Sequence, residues 1–269
     1  MPRPIITLTT DFGTRSSYVA QMKGVILALA PETTLVDLTH EIAPQNIRQA
    51  ALFLRDATPH FSPGTVHVAV IDPGVGTARQ IICAELAGQC YLAPDNGVLS
   101  LLARESPPSR LIAVTNPRYW RATVSNTFHG RDIFAPVAAQ LSLGLPPTAL
   151  GETINSLETL AWPEPLCAAT QIAGEIIDID SFGNLISNIH HDQIAQHLRL
   201  TAGDACEVLL GGSVIGGLSR TYGERRAGSL VAICGSGGYL EVAIVGGSAA
   251  SILGVTVGAP IRITRSKTG

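Results

Sequence analysis

Residues 65–71 read "TVHVAVI", a nearly unbroken apolar run that stops at Asp72-Pro73-Gly74. A strand with one wet face alternates apolar and polar side chains. A near-continuous run predicts a strand covered on both faces, so the fold needs layers on either side of its sheet. The neighbouring segments supply them. Residues 5–10 and "TLVDL" (34–38) read as strands, separated by a helix over "SSYVAQMKGVILALAP" (16–31) that Pro31 stops. "NIRQAALFLRDA" (46–57) predicts a second helix. "QIICAEL" and "QCYLAP" predict a strand pair joined at Ala87-Gly88, and "NGVLSLLARE" and "RDIFAPVAAQLSLG" predict further helices. Strands alternating with helices predict a three-layer α/β domain over about residues 1–155.

The character changes at "LAWPEPLCAA" (160–169), a Pro-containing connector. Short β-rich segments follow: "QIAGEIIDID", "LISNIH", "CEVLLGG", "SLVAICG", "YLEVAIV" and "PIRITR". About half of the 27 glycines lie between 203 and 258, which suits tight turns rather than helices. This part predicts a small β-barrel or sandwich. The expected domains are residues 1–160 and 170–269.

Composition narrows the function classes. The chain of 269 residues is 46% hydrophobic and 14% charged, with a net charge of −3. No basic patch is evident, which argues against nucleic-acid or anionic-membrane binding. Cys83, Cys90, Cys167, Cys206 and Cys234 are odd in number and form no Cys-x-x-Cys pair, the usage of a reducing compartment. The start "MPRPIITLTT" lacks a signal-peptide pattern and no run of 18 apolar residues occurs, so a cytoplasmic protein is expected.

Familiar signatures are missing. No glycine-rich stretch ends in Gly-Lys-Ser/Thr, and "GVGTAR" departs from Gly-x-Gly-x-x-Gly because Arg79 takes the third glycine position. No His-Glu-x-x-His occurs. His190-His191 is an adjacent pair, poorly placed for joint metal binding on one helix face. Neither a metal nor a cofactor is expected.

Four constellations remain, each with two readings. Asp11, in "TTDFG" at the end of the first strand, suits a carboxylate gripping a ribose diol, or a helix N-cap. Asp72 ends an apolar strand where open α/β sheets place ligands, and a glycine turn returns Arg79 seven residues later; the other reading is plain turn chemistry. His129, in "FHGRD", is a candidate acid–base group or a capped loop histidine. In "DSFGNLISNI", Phe182 and Asn184 offer an aromatic face and an amide able to read a base edge, or form a strand-to-strand turn.

Together "TLTTDFG", "VDLTHEI", "VIDPGVGTAR", "TFHGRD", "DSFGNLISNI" and "GSGGYLEVAIVGGSAA" resemble the S-adenosyl-L-methionine (SAM) hydroxide adenosyltransferases, relatives of the fluorinases and chlorinases. The resemblance runs from Thr7 to about residue 265. It implies an N-terminal α/β/α domain with a mostly parallel sheet and a smaller C-terminal antiparallel β-barrel. It also implies a homotrimer with sites between subunits and metal-independent hydrolysis of SAM to adenosine and L-methionine. By the same resemblance Asp11 grips both ribose hydroxyls, and Asp72, Arg79 and His129 serve the attacking water. Phe182 and Asn184 fall in the adenine motif, Asp180 meets the methionine amino group and Ser236 its carboxylate. The chain departs from its relatives at Gly237, where halogenases carry arginine, at Gly235, where related hydrolases usually show asparagine, and at Val245, often asparagine.

The chemistry fits those residue types. Attack must come in line at the ribose C5′, expelling a neutral thioether. Water has a pKa of about 15.7, so the protein must accept a proton or stabilise a hydroxide-like water. An imidazole, ordinarily near pH 6.5, suits that work, and a carboxylate paired with a guanidinium can take the water's hydrogen bond. Two alternatives stand: a non-catalytic SAM or adenosine sensor, which has no need of the Asp72, Arg79 and His129 set, and a halide-using adenosyl transferase, whose known members lack the equivalents of Asp72 and His129.

Overall fold

A computed structural model describes residues 3–266, so the extreme ends of the two expected domain ranges lie outside the described residues. The chain divides into two compact units, residues 1–160 and 161–269.

In the first unit the strands are β1 (Ile5–Thr10), β2 (Thr34–Thr39), β3 (Val66–Val70), β4 (Ile81–Leu86), β5 (Gln89–Pro94) and β6 (Arg110–Ala113). They form one sheet in the order β2-β1-β3-β5-β4-β6. Its first four strands run parallel, while β4 is antiparallel to both β5 and β6. The β4–β5 hairpin turns at Ala87 and Gly88, both with positive φ (48° and 78°), the geometry that matches strand twist in a two-residue turn. The helices are α1 (Tyr18–Leu29), α2 (Ile47–Ala57), α3 (Ser100–Glu105) and α4 (Ala135–Ser142). Asn46 caps α2 by accepting the Gln49 amide at 3.0 Å.

Every residue of β3 is buried, and alternate side chains enter different cores. Val66, Val68 and Val70 pack with Met22 and Ile26 of α1 and Val137 of α4. Ala69 and the following Ile71 pack with Leu54 of α2 and Leu102 of α3. Helices therefore cover both faces, which is why the run "TVHVAVI" shows no polar alternation. Parallel pairing of β1 with β3 sets Thr10 opposite Val70, so both strands end at one edge of the sheet.

Among the described residues the second unit holds nine strands: β7 (Leu166–Cys167), β8 (Gln171–Ile179), β9 (Leu185–His190), β10 (Cys206–Leu210), β11 (Ser213–Gly216), β12 (Leu218–Ser219), β13 (Leu230–Cys234), β14 (Tyr239–Ile244) and β15 (Pro260–Arg265). Two short α-helices, α5 (His191–Gln193) and α6 (Ala249–Leu253), a π-helical turn at Ile194–Leu198 and a 3-10 turn at Tyr222–Glu224 lie between its strands. The order β11-β10-β15-β8-β9-β14-β13-β12, with β7 beside β8, gives a nearly closed, barrel-like sheet. All its pairs are antiparallel except β12–β13. Ile172, Ile176, Val208, Leu240, Val242 and Ile263 fill its interior.

Candidate active site

Asp11 and Asp72 both lie just past the aligned ends of β1 and β3, and both line one cavity of about 200 Å³ with Phe12, Gln45, Phe128 and His129. Local chain chemistry builds that arrangement. After Asp72 the backbone turns tightly, with the Val75 amide donating to the Asp72 carbonyl at 3.2 Å and Thr77 to that of Gly74 at 3.1 Å. Gly76 has φ +76°, and a Cβ there would sit 2.3 Å from the Asn126 carbonyl oxygen. Only glycine lets this turn dock on the loop that leads to His129. The turn delivers Arg79, whose Nε donates to both Asp72 oxygens at 3.0 Å. Both side chains are largely buried, 5% exposed for Asp72 and 12% for Arg79. Arg79 Nη2 also lies 2.8 Å from His129 Nδ1. One guanidinium thus joins a carboxylate and an imidazole from segments 50 residues apart.

That contact fixes the imidazole. A guanidinium only donates, so Nδ1 of His129 accepts and the neutral ring carries its proton on Nε2. Burial and the Arg79 charge push the His129 pKa below its ordinary value, against the opposing pull of Asp72 and Asp132. Asp132 anchors the loop. Its carboxylate accepts the Ser125 amide at 2.9 Å and Arg131 Nε at 2.7 Å, with Arg121 at 3.1 Å. Burial works against its charge, but these donors prevail and hold its pKa down at about 2.

The capping readings of Asp11 and His129 do not hold, whereas Asp72 does begin a turn through its backbone carbonyl. Ser17, not Asp11, stands at the N-terminus of α1. His129 precedes the π-helical turn Gly130–Phe134, yet its side chain caps nothing there. The Asp72 carboxylate goes to Arg79 rather than to a turn amide.

In the second unit, Asp180, Phe182 and Asn184 line a separate cavity of about 540 Å³ with Tyr222, Ile244 and Val245. Residues 180–184 do connect β8 to β9 as a turn. Asp180 Oδ1 accepts the amides of Phe182 and Asn184, both at 2.9 Å, and its Oδ2 accepts Asn184 Nδ2 at 2.8 Å. Gly183, at φ +81°, passes so close to Ser248 that a Cβ would lie 2.1 Å from its Oγ. The turn buries Asn184 and leaves the Phe182 ring 76% exposed. Ser236 sits on the exposed β13–β14 hairpin and is absent from this cavity's lining.

Residues 6–151 match the N-terminal domain of the SAM hydroxide adenosyltransferases, and residues 174–262 match their C-terminal domain. The chain belongs to the SAM hydroxide adenosyltransferase family. It is 42% identical to an (R)-S-adenosyl-L-methionine hydrolase of Thermus thermophilus, over 97% of this chain and 99% of that one. A protein of the same name from Salinispora tropica is 37% identical over 98% of each. Among solved structures, an uncharacterized conserved protein from Thermotoga maritima superposes with a TM-score of 0.91 at 36% identity, over 97% of this chain and 100% of that one.

In this family member the structure adds a residue that the sequence did not single out. Gln45 lies in the same cavity, and its backbone amide donates to Asp11 Oδ2 at 2.8 Å. Gln45 holds φ +63°, a conformation that disfavours side chains. A strained non-glycine residue that orients a site carboxylate has no motif of its own. The only cue in sequence was its place just before the Asn46 cap of α2. Phe12, Tyr18 and Phe128 also pack together, with centroids 5.0–6.0 Å apart, beside the cavity that Phe12 and Phe128 line.

Proposed function

We propose that this protein hydrolyses SAM, with the (R) configuration at sulfur, to adenosine and L-methionine. The oxygen of water attacks the ribose C5′, the C5′–S bond breaks, methionine leaves as a neutral thioether, and one proton is released per turnover. The observation that carries the reading is the Asp72–Arg79–His129 linkage on the wall of a cavity shared with Asp11. The full-length similarity to two (R)-S-adenosyl-L-methionine hydrolases supports both the reaction and the epimer.

Roles follow from donors and acceptors. His129, neutral with Nδ1 held by Arg79, presents Nε2–H to the water oxygen and turns a lone pair toward C5′. Asp72 accepts the water's proton as the C–O bond forms. Arg79 sets the geometry of both. Asp11, oriented by Gln45, takes the two ribose hydroxyls. Phe182 stacks on adenine and Asn184 reads its edge. Asp180 keeps one Oδ2 lone pair beyond its three turn bonds for the methionine amino group, and Ser236 meets the carboxylate. No metal or cofactor enters any step.

The reading extends to a homotrimer in which the Asp72 half-site of one subunit is completed by the Asn184 half-site of another. It also extends to the reducing cytoplasm, which the five free cysteines support. No described helix is long and apolar enough to cross a membrane.

The test is incubation with each resolved SAM epimer in ¹⁸O-water without added metal. Labelled adenosine plus methionine from the (R) epimer is expected. Binding without turnover would favour the sensor, a halogenated adenosine formed with added halide would favour the transferase, and equal consumption of both epimers would remove the stereochemical part.

A further inference from the structure

His190 and His191 are not helix neighbours splayed about 100° apart. His190 is the last residue of β9 and His191 the first of α5, and this junction brings their rings to a centroid separation of 4.3 Å at 41°. Asp192 turns back toward both. Its Oδ2 lies 3.3 Å from His190 Nδ1 and its Oδ1 lies 3.1 Å from His191 Nε2. One ligand atom from each of the three residues falls within 4.8 Å of the others.

The proton positions make this cluster more than an ion pair. His191 Nδ1 faces the Gly238 carbonyl at 3.1 Å. A carbonyl only accepts, so Nδ1 carries the proton and the neutral ring presents the Nε2 lone pair to a carboxylate oxygen. His190 Nδ1 accepts the Asp192 backbone amide in a long contact of 3.4 Å, so its single in-plane lone pair lies on this nitrogen, on the side of Asp192. His190 Nδ1, His191 Nε2 and the Asp192 carboxylate converge, and a cation between them would take both nitrogen lone pairs, that of His190 in place of its long amide contact. The His191 Nδ1–H to carbonyl bond is the outer contact that metal-bound imidazoles characteristically make.

The scaffold is fitted to the pair. Gly238, at φ +81°, packs so tightly that a Cβ would lie 2.3 Å from His190 Nε2 and 3.2 Å from His191 Nδ1. The His191 amide donates to the same Gly238 carbonyl at 2.8 Å, and the Tyr239 ring meets the His190 ring edge-on at 5.4 Å.

We infer that His190, His191 and Asp192 form a binding site for a late first-row divalent cation of the zinc class. Two imidazole nitrogens and one carboxylate oxygen favour zinc, cobalt or nickel over magnesium or calcium, which prefer all-oxygen shells. Water fills the remaining positions, since the three side chains are 34%, 52% and 75% exposed. The proposed hydrolysis assigns no role to these three residues, and no step of it is routed through them.

The probe is Co²⁺ titrated into tag-free protein at neutral pH, read by its visible d–d bands and then by displacement with Zn²⁺. One equivalent per chain is expected, with paramagnetic broadening of the His190 and His191 ring protons. His191→Ala and Asp192→Asn should each weaken binding at least about tenfold, whereas Cys167→Ser, which removes an exposed thiol, should leave it unchanged. Unchanged far-ultraviolet dichroism would separate loss of ligation from loss of fold. If the wild-type protein takes up no Co²⁺, the cluster is held by protons alone and the inference fails. Binding that survives both substitutions would also overturn it.

Discussion

The Arg79 guanidinium meets His129 at Nδ1, 2.8 Å away, while holding Asp72 with its Nε. This one contact decides which ring nitrogen is the acceptor and leaves Nε2–H as the donor. A ring so engaged cannot take a proton without losing Arg79, which sets the order of events proposed for the water.

The first expectation concerns that ring. Nitrogen NMR at neutral pH should find His129 as the Nε2–H tautomer. Because burial and Arg79 lower its pKa, kcat should stay flat near neutrality and fall on the acid side only below about pH 6.5, the ordinary histidine value. A ring already protonated at pH 7, or the Nδ1–H tautomer, would contradict the arrangement.

Asp72 and Asp11 should separate kinetically. Asp72→Asn removes the proton acceptor while keeping shape, and kcat should fall on the order of 10²–10⁴-fold with SAM binding retained. Asp11→Asn removes charge-assisted bonds made equally in ground and transition states. It should raise KM by roughly ten- to a hundredfold and spare kcat. Steady-state kinetics of the two variants decide it, and near-normal kcat in Asp72→Asn would strip that residue of its role.

Gly76 should resist substitution although it touches no substrate. In Gly76→Ala the added Cβ meets the Asn126 carbonyl and the backbone must hold φ +76°. The variant should lose at least about 1–2 kcal/mol of stability and should lower kcat by shifting Arg79 away from His129. Urea unfolding and turnover check both, and a fully active Gly76→Ala would show that the turn need not dock there.

His67 predicts a pH dependence of stability. It is wholly buried on β3 with Nδ1 2.8 Å from Thr7 Oγ1, and burial lowers its pKa to about 4. As pH falls below 6.5 the unfolded chain takes up a proton that the folded chain refuses. Stability is therefore full above pH 6.5 and declines toward pH 4, by about 3 kcal/mol for this one group. Urea melts of wild type and His67→Gln at both ends of that window should show the smaller decline in the variant. Equal declines would assign the acid limb to other groups.

Much of the fold was legible in sequence because its signals are local. The unbroken "TVHVAVI" run required cover on two faces, Ala87-Gly88 marked the β4–β5 hairpin, and Pro31 bounded α1, which ends at Leu29. The Asp72–Arg79 pair was legible for the same reason, since seven residues and two glycines suffice to close it. The antiparallel insertion of β4 between β5 and β6 and the parallel β12–β13 pair were not, because strand order depends on which edges find each other after the chain collapses.

The candidate site divides along the same line. By itself the sequence determined the chemical groups: carboxylates at strand ends, an imidazole before a helix, an aromatic and an amide in a turn. Only the tertiary structure decided what those groups can do. Parallel pairing of β1 with β3 brings Asp11 and Asp72 to one cavity, Arg79 reaches His129 across 50 residues, and the strained Gln45 amide reaches Asp11 across 34. The physical reason is that a proton's position on an imidazole, or a carboxylate's orientation, is set by hydrogen-bond partners 3 Å away in space. Sequence spacing carries that information only when the partners are also near along the chain.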